Sequence, residues 1–556
     1  MRFTPRSFPV AHYAITVSAF AVLFLALVLP NRLDWISPAA FTMFPLELVI
    51  IGLLLLAPGR SGAVFRILLS TLLGLSLVLR GADLATHEMF ARPFNLIFDG
   101  HLLADGSRLL TGVLGSFTAV GLGILLALMV ALLCVLAFVV LGRIQQTLRI
   151  KPRLSGLCLL VLLAAWLALD TFRWVERPRT DAYAWHQLRL HAEDTWRSWQ
   201  DIQEFAATIG VDEWSDRLGD QLFDRLRGKD VLVIFAESYG RMLLEREPFA
   251  EHMLDALSQS ENVLRDNGFD IQSAFLTSPT VGGLSWLAHA SALAGTWIDS
   301  ETRYKSLVMS ERATLNRLFR EAGWRTVAAM PAISMAWPEG QYYGYDHIYD
   351  AHNFGYQGLP FNWVTMPDQY VLSALHAREL SEQVRPPVMA EVALISSHAP
   401  WTPVAQLLPW SKVGDGRIFN QQAQAGPTPE EVWQSVETIR DHYRRSIEYM
   451  LESVVSYLEH YGNDNLVVLL LGDHPPAPLV SGDPEGRDVP VHLIARDPAV
   501  FEAVSQWRWQ PGMLPDDKAP VWRMDQLRDR FVDAFSSTRL PLEKTGSGGS
   551  TATGAR

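Results

Sequence analysis

Hydrophobic residues are concentrated in the first third of this chain, where long apolar runs alternate with short polar loops. An α helix needs roughly 20 apolar residues to cross a bilayer. In the third run Arg66 and Arg80 leave a short apolar centre, and we expect both side chains to extend toward the membrane interfaces. The pattern predicts a transmembrane domain of five helices over residues 1–173, with apolar runs at 9–30, 39–58, 63–80, 111–142 and 155–172.

Basic residues in the short loops predict the orientation of this domain. Loops rich in Lys and Arg face the cytoplasm, so five spans place the chain after residue 173 on the opposite side. The first run is longer than the apolar core of a signal peptide, and no small-residue cleavage site follows it. We therefore expect a multi-pass protein of the cytoplasmic (inner) membrane with an extracytoplasmic domain. The basic residues concerned are Arg2, Arg6, Arg60, Arg66, Arg143, Arg149, Lys151 and Arg153.

Residues 174–228 combine many charges with tryptophans at helical spacing. Because Trp side chains prefer the membrane–water interface, Trp185, Trp196 and Trp199 favour an interfacial helical connector. An amphipathic helix packed on the following domain has the same pattern and stays an alternative.

From about Asp230 short apolar strands alternate with helical segments, which predicts an α/β domain over residues 229–540. Continuous apolar strands are typical of a central, mostly parallel sheet that is buried on both faces. The predicted strands are 230–238, 325–330, 392–397, 466–472 and 490–496.

Two further segments of this region have clear local signals. A helix is predicted over 428–460, because Thr428 and Glu431 can form a capping box and Pro429 takes the first helical position. The Gly- and Ser-rich end, 541–556, has no core-forming residue, which predicts a disordered tail.

Composition narrows the chemistry of the predicted extracytoplasmic part. Both cysteines of the chain, Cys134 and Cys158, lie in predicted spans, so that part holds no disulfide and no cysteine nucleophile. The formal net charge is −12 and no Lys- or Arg-rich tract is present, so we expect no nucleic-acid partner.

Polar residues of unusual type follow three of the predicted strands. Glu237 follows the first, His398 the third, and Asp473 with His474 the fourth. Each alone has a structural explanation, such as a helix N-cap, a solvated carboxylate or a satisfied core histidine. Ligands bind at the carboxyl ends of strands in open α/β sheets, so we expect these residues to converge. Two carboxylates and an imidazole suit Mn²⁺, Zn²⁺ or Mg²⁺.

A hydroxyl nucleophile is predicted in the segment "FLTSPTVGGLSWLAHASALAG", residues 275–295. Thr280 precedes two glycines and a helix-like run, where free N–H groups can hold a phosphate oxygen. Metal coordination would lower the pKa of its hydroxyl. The structural alternative is a simple N-cap, and Ser278 and Ser285 remain rival nucleophiles.

The order of these motifs resembles the alkaline phosphatase superfamily: a Glu at the first strand end, a Thr before a helix, a His after a middle strand, and a late "GDH". A multi-span anchor followed by such a domain resembles its membrane-anchored, sulfatase-like branch, which contains lipoteichoic acid synthases, periplasmic phosphoglycerol transferases and phosphoethanolamine transferases. The resemblance covers essentially the whole chain. It implies an alkaline phosphatase-like (sulfatase-like) fold for the α/β domain.

The resemblance also implies roles for single residues. Glu237, Asp473 and His474 would be metal ligands, together with Thr280, which would also be the nucleophile. His398 would face the substrate phosphate and serve the leaving group. Trp337 would line the head-group pocket, and the "YGYD" at 343–346 matches a "GYD" that follows this Trp in the family.

The chain departs from the family pattern at three points. Glu339 stands where the lipoteichoic acid synthases have an Arg, which weakens a second anion site. The C/S-x-P-x-R motif of formylglycine sulfatases is absent at the nucleophile, and the cysteines typical of phosphoethanolamine transferases are absent from the predicted exported part. Arg241 is a candidate substrate-binding cation, with a surface Arg as the alternative.

Asp368 and His289 are candidates for supporting the site from behind its ligands. For His289, a core position on a small-residue helix face is the alternative interpretation.

Together these features predict a metal-dependent phosphotransferase or phosphodiesterase that acts on lipid head groups or envelope glycans at the outer face of the membrane. The expected cofactor is one divalent ion, Mn²⁺ first and Zn²⁺ or Mg²⁺ as alternatives. The expected partners are the bilayer, a phosphatidylglycerol-like donor, and a sugar or water acceptor. The alternatives are a sulfuric or phosphoric ester hydrolase acting on a non-lipid substrate, and an inactive scaffold for envelope glycan assembly. A transporter is disfavoured, since the predicted spans lack pairs of buried charges.

Overall fold

The computed structural model describes residues 10–100, 116–172, 180–212, 214, 221–483 and 485–537. The chain divides into two compact units, one formed by Met1–Ala207 with Ser300–Thr302 and the other by Thr208–Asp299 with Arg303–Arg556. The domain boundaries at 173, 228 and 540 stay predictions. The predicted tail, 541–556, lies outside the described residues.

Helices occupy all five predicted apolar runs of the first unit, but they differ in length. Three are long and apolar enough to cross a membrane. The helix in the second run has only ten residues, about 15 Å, which is half of a bilayer's apolar thickness. It lies between Pro45 and Pro58, and a proline restricts the residue before it to extended backbone. The helices of this unit are Val10–Val28, Leu46–Leu55, Gly59–Phe90, Ser116–Leu148, Pro152–Phe172 and Tyr183–Thr208.

The expectation that Arg80 extends to an interface stays a prediction. Its guanidinium is buried and donates hydrogen bonds to the carbonyls of Ala26, Leu27 and Leu29. These carbonyls lie at the end of Val10–Val28, where the last turn of a helix leaves acceptors without partners. Three residues further on, buried Asp83 accepts hydrogen bonds from the Asn31 amide and the Phe94 N–H, so a buried carboxylate does occur beside the third run.

The second unit is built on a mixed nine-stranded sheet, in the order β10–β4–β9–β8–β3–β7–β5–β6, with β11 paired to β4. Strand β9 is antiparallel to both β8 and β4, and the pairs within β8–β3–β7–β5–β6 are parallel. The two remaining strands among the described residues, β1 and β2, belong to the first unit. In order, β1 to β11 are Phe44–Pro45, Thr180–Asp181, Asp230–Ala236, Asp270–Thr277, Arg325–Met330, His347–Asp350, Val388–Leu394, Leu466–Gly472, Asp488–Ala495, Gln510–Pro511 and Val521–Arg523.

The central strands confirm the apolar pattern that predicted them. Every residue of β3 and of β8 is buried, as expected for strands covered on both faces. Strand β7 begins four residues before the predicted start at 392. The prediction began too late because Glu391 interrupts the apolar run. Strand β4 was not predicted, since its polar residues Asp270, Gln272 and Ser273 hide the pattern. Strand β9 was predicted correctly, but its antiparallel direction is set by pairing rather than by its own sequence.

Helices alternate with the strands of this unit along the chain. The predicted helix 428–460 is broken: its capping box between Thr428 and Glu431 is present, but a second N-cap at Ser435 starts a new helix. The helices of the unit are Met242–Glu245, Ala250–Asp266, Ser285–Ala294, Glu301–Val308, Leu315–Glu321, Gly340–Tyr343, Asp368–Leu375, Asn420–Ala423, Pro429–Val432, Val436–Tyr461, Pro478–Ser481, Pro498–Ala503 and Leu527–Phe535.

Strand register places the predicted site residues at one level of the sheet. Ala236, at the end of β3, pairs with Gly472 of β8 on one side and with Leu394 of β7 on the other. The residues that follow these strands therefore leave the sheet side by side at its carboxyl edge.

Candidate metal centre

Glu237, Asp473 and His474 come together at this edge, where one ligand atom of each lies within 4.8 Å of the others. The His474 Nε2 is 3.3 Å from Glu237 Oε1 and 3.8 Å from Asp473 Oδ2. All three side chains are buried. Their arrangement follows from the register, because Glu237 continues β3 and the other two continue the neighbouring strand β8.

Backbone groups hold the carboxylates in place. The N–H groups of Ser238 and His474 both donate to Asp473 Oδ1, at 2.8 and 2.6 Å. The Ser238 hydroxyl donates to Glu237 Oε1 at 3.1 Å. Asp473 Oδ2 is left facing His474 Nε2, and Glu237 Oε2 accepts from the Ser285 hydroxyl at 3.1 Å.

The tautomer of His474 is fixed by its own segment. Its Nδ1 lies 2.8 Å from the Pro475 carbonyl, an oxygen that only accepts, so Nδ1 carries the proton. The lone pair of Nε2 then points at carboxylate oxygens, which is unfavourable unless a cation or a proton stands between them. The local geometry is therefore that of a histidine ligand.

The pKa values of the three groups are shifted because the groups are buried together and act on one another through their charges. Burial alone would raise the pKa of Glu237, but the charge and the hydrogen bond of His474 hold it well below its usual range. Burial opposes the charged form of His474, yet the carboxylates of Asp473 and Glu237 raise its pKa to about 9. Burial and the Glu237 charge raise the pKa of Asp473. The pocket therefore holds two carboxylates that need a positive charge between them.

Thr280 lies in the loop after β4, and its hydroxyl is buried without a hydrogen-bond partner among the described residues. The alternative that Thr280 is the N-cap of the next helix is wrong. That helix begins at Ser285, because Gly282, Gly283 and Leu284 all have positive φ angles, which a helix does not accept. The Gly282 N–H donates to the Pro475 carbonyl at 2.9 Å, which ties the loop to the ligand segment.

The two rival serines have different environments. The Ser278 hydroxyl donates to the Asp473 carbonyl at 2.6 Å and accepts from the Thr280 N–H at 3.3 Å, so it is engaged in holding the loop. Ser285 Oγ lies 3.1 Å from both Glu237 Oε2 and His474 Nε2. Ser285 therefore contacts two of the three candidate ligands.

His398 follows β7 and lies near the carboxylates, since its charge contributes to lowering the pKa of Glu237, after burial and the two effects of His474. Its Nδ1 is 2.6 Å from the Ala399 carbonyl, which leaves Nε2 as the reactive nitrogen. The ring is stacked on Trp363, with centroids 4.0 Å apart. Trp363 was not predicted, and no local pattern in the sequence distinguishes it.

Trp337 belongs to an aromatic cluster with two tyrosines of the segment that precedes β6. Its ring lies 5.5 Å from that of Tyr343 and 6.3 Å from that of Tyr345. Glu339 lines a separate surface cavity of about 480 Å³ together with Arg317 and Arg320. Glu339 therefore has two basic neighbours across this cavity.

Arg241 is held within the protein by several groups. Its guanidinium lies 2.6 Å from Glu245 and 3.3 Å from Asp488, and it covers the ring of Phe275 at 4.1 Å. These partners already balance the charge of Arg241. Its contact with substrate stays a prediction.

Asp368 lies behind the segment that carries His398. Its Oδ1 accepts from the Ser396 N–H at 3.0 Å, while its buried Oδ2 has no partner among the described residues. Burial raises the pKa of Asp368 to about 7. Its position agrees with a supporting role and not with a ligand role.

Asp368 should make stability depend on pH. Between about pH 4 and pH 7 the folded protein keeps a proton that the unfolded chain releases, so the free energy of unfolding falls as pH rises through this window. From pH 5 to pH 8 we expect the free energy of unfolding of the wild type to fall by about 2 kcal/mol relative to that of Asp368→Asn. Denaturant unfolding followed by tryptophan fluorescence at both pH values measures this, and an equal difference at both would contradict it.

The donor set fits a divalent cation. Two carboxylates and a neutral imidazole nitrogen are ligands for Mn²⁺, Zn²⁺ or Mg²⁺. Glu237, Asp473 and His474 are the residues that would hold such an ion.

Comparison with known proteins gives neighbours at the level of structure only. No protein-family description and no curated protein sequence matches the chain. Solved structures similar to it include the lipoteichoic acid synthase LtaP from Listeria monocytogenes, at 13% identity over 61% of this chain and 81% of that one, with a TM-score of 0.35. The phosphoglycerol transferase GacH from Streptococcus pyogenes, in complex with sn-glycerol-1-phosphate, has 12% identity over 60% and 89%, with a TM-score of 0.35.

The C-terminal periplasmic domain of EcEptC from Escherichia coli has 14% identity over 55% of this chain and 82% of that one, also with a TM-score of 0.35. The names of these neighbours agree with the resemblance stated from the sequence. At such identities and TM-scores the likeness carries no argument about the reaction, which rests on the residues of the centre.

Proposed function

We propose that this protein is a metal-dependent enzyme that transfers or hydrolyses a phosphorus-containing head group, with Thr280 as nucleophile. The observation that carries the proposal is a buried Thr280 hydroxyl without a partner in the described chain, on a loop bonded to the Asp473–Pro475 segment. A buried hydroxyl that makes no hydrogen bond is costly, so its position is explained best by a ligand or by chemistry.

Glu237, Asp473 and His474 hold the divalent ion in this proposal. A bound divalent ion would stabilise charge on phosphoryl oxygens and lower the pKa of a coordinated hydroxyl. Mn²⁺ is the ion we expect, with Zn²⁺ and Mg²⁺ as alternatives.

The reaction proceeds in two steps through the chain's own groups. In the first, Thr280 attacks as the alkoxide: its oxygen forms a bond to the phosphorus of a phosphodiester, and the bond from phosphorus to the lipid alcohol breaks. His398 Nε2 gives its proton to the departing oxygen. In the second, the oxygen of a sugar hydroxyl or water bonds to the phosphorus of the phospho-threonine and its proton goes to His398, while the bond from phosphorus to the Thr280 oxygen breaks and the alkoxide is restored.

The membrane helices favour a lipid-borne donor. Three helices of the first unit are long and apolar enough to cross a bilayer, and Trp185, Trp196 and Trp199 are largely exposed on the helix Tyr183–Thr208. Exposed tryptophans of this kind suit a membrane interface. We propose that the centre lies outside the cytoplasm, within reach of phosphatidylglycerol-like head groups.

Two other functions have an observation in their favour. A phosphoric or sulfuric ester hydrolase acting on a non-lipid substrate is favoured by Glu339, an acidic residue that offers no basic group for a second anion. The same residue is compatible with an inactive scaffold, but the intact ligand set with its buried, unpartnered Thr280 hydroxyl argues for retained chemistry.

Intact mass tests the proposal. The full-length protein in detergent is incubated with Mn²⁺ and phosphatidylglycerol and then digested for peptide mapping. We expect a phosphoglycerol adduct on the peptide that contains Thr280, together with released diacylglycerol. If neither the adduct nor diacylglycerol appears in protein that has bound Mn²⁺, phosphatidylglycerol is excluded as the donor. An adduct on Ser285 would assign the nucleophile to Ser285 instead of Thr280.

A further inference from the structure

A second histidine is held beside the centre, and the proposed ligand set does not use it. His289 Nδ1 lies 2.8 Å from Glu391 Oε1, in a pair joining positions 102 residues apart in the chain. Glu391 is 1% exposed in the middle of β7. Burying a carboxylate destabilises the fold unless the group is paired and hydrogen-bonded. A buried carboxylate with a dedicated histidine partner therefore indicates a functional role.

Two neighbours locate His289 close to the metal ligands. It stands four residues after Ser285 on one helix, so the two side chains share a face, and Ser285 contacts Glu237 and His474. Its ring is stacked on Phe235 with centroids 3.8 Å apart, and Phe235 points to the same side of β3 as Glu237.

Glu391 has all its partners in place. Besides His289, it accepts a hydrogen bond from the Asn316 amide at 3.2 Å and another from the Tyr345 hydroxyl. Tyr345 belongs to the aromatic cluster around Trp337. The carboxylate thus fixes the His289 ring and connects it to the predicted head-group wall.

The other nitrogen of His289 is available. His289 Nε2 makes no hydrogen bond within the described part of the chain, and it is not among the sealed polar atoms that lack a partner. The side chain is 11% exposed, so this nitrogen reaches solvent. The buried carboxylate of Glu391 occupies Nδ1, so Nε2 is the nitrogen of His289 that is left to contact a ligand.

We infer that His289 Nε2 binds a non-bridging oxygen of the phosphoryl group held at the Glu237–Asp473–His474 centre, and that Glu391 is the positioning residue for this histidine. The inference deepens the proposed function and rests on it for the site, but phosphate binding tests it without turnover. A charge-assisted hydrogen bond of this kind corresponds to about a 10- to 100-fold change in affinity.

Binding of inorganic phosphate to the full-length, Mn²⁺-loaded protein is measured by calorimetry for the wild type and for variants. We expect His289→Gln to weaken binding about 10- to 100-fold and Glu391→Gln to weaken it several-fold, with metal content unchanged. His376→Gln is the matched control, since its half-buried ring contacts Tyr457 and Tyr461. Binding within threefold of wild type in His289→Gln would overturn the inference.

A chemical measurement on the wild type does not depend on how the variants fold. Diethyl pyrocarbonate should modify His289, and inorganic phosphate should protect it, as read by peptide mapping. Modification at the same rate with and without phosphate would overturn the inference. If phosphate protects His289 while no phosphodiester forms an adduct on Thr280, the inference stands and the proposed reaction fails.

Discussion

Replacing Thr280 by alanine is expected to lower turnover by about four orders of magnitude or more, while the bound metal stays. A covalent nucleophile has no substitute in a two-step transfer, so its loss removes the reaction path and not one contact among several. The three ligands Glu237, Asp473 and His474 are untouched by this change. Release of diacylglycerol from phosphatidylglycerol by the Mn²⁺-loaded, full-length protein measures turnover, and elemental analysis measures the metal.

Serine variants make this test specific. Ser285→Ala should keep measurable turnover, because Ser285 only supports Glu237 and His474 through its two 3.1 Å contacts. Thr280→Ser should retain part of the activity, since it restores the hydroxyl. Full activity of Thr280→Ala, combined with an inactive Ser285→Ala, would assign the nucleophile to Ser285.

Asp473→Asn is expected to remove most of the metal and, with it, turnover. Asn keeps an oxygen that can accept from the Ser238 and His474 N–H groups, so the local backbone is preserved. The Asn side chain puts an uncharged NH₂ group, which donates hydrogen bonds, in place of Asp473 Oδ2, the oxygen that faces His474. We expect metal affinity to fall at least 100-fold and turnover to fall below one hundredth of wild type. Metal content after dialysis and the dissociation constant for Mn²⁺ measure the effect.

The matched control for this change is Asp368→Asn. Asp368 is another buried carboxylate of the same unit, but it lies outside the three-ligand set, so this variant should keep wild-type metal content. The metal should also raise the melting temperature of the wild type and of Asp368→Asn, since it binds only the folded state. A wild-type Mn²⁺ dissociation constant in Asp473→Asn would show that Asp473 is not a ligand.

Much of the centre was predicted from sequence, because the ligands follow apolar strands directly. Glu237 and the pair Asp473–His474 end the two strands with the strongest apolar pattern, and parallel pairing carries such ends to one edge. The supporting residues gave weaker signals. The signal at Glu391 was a charged residue next to an apolar run. Because the predicted strand began after it, at residue 392, Glu391 was left outside the predicted sheet.

Sequence by itself determined the apolar helices of the first unit, the central parallel strands and the identity of the candidate ligands, because these depend on hydrophobic period and on residue type. Only the tertiary structure decided the start of the helix at Ser285 and the meeting of His289 with Glu391. Backbone angles at Gly282–Leu284 and contacts between residues about 100 positions apart set these features. Such contacts depend on how the strands pair and the helices pack, and no local pattern encodes them.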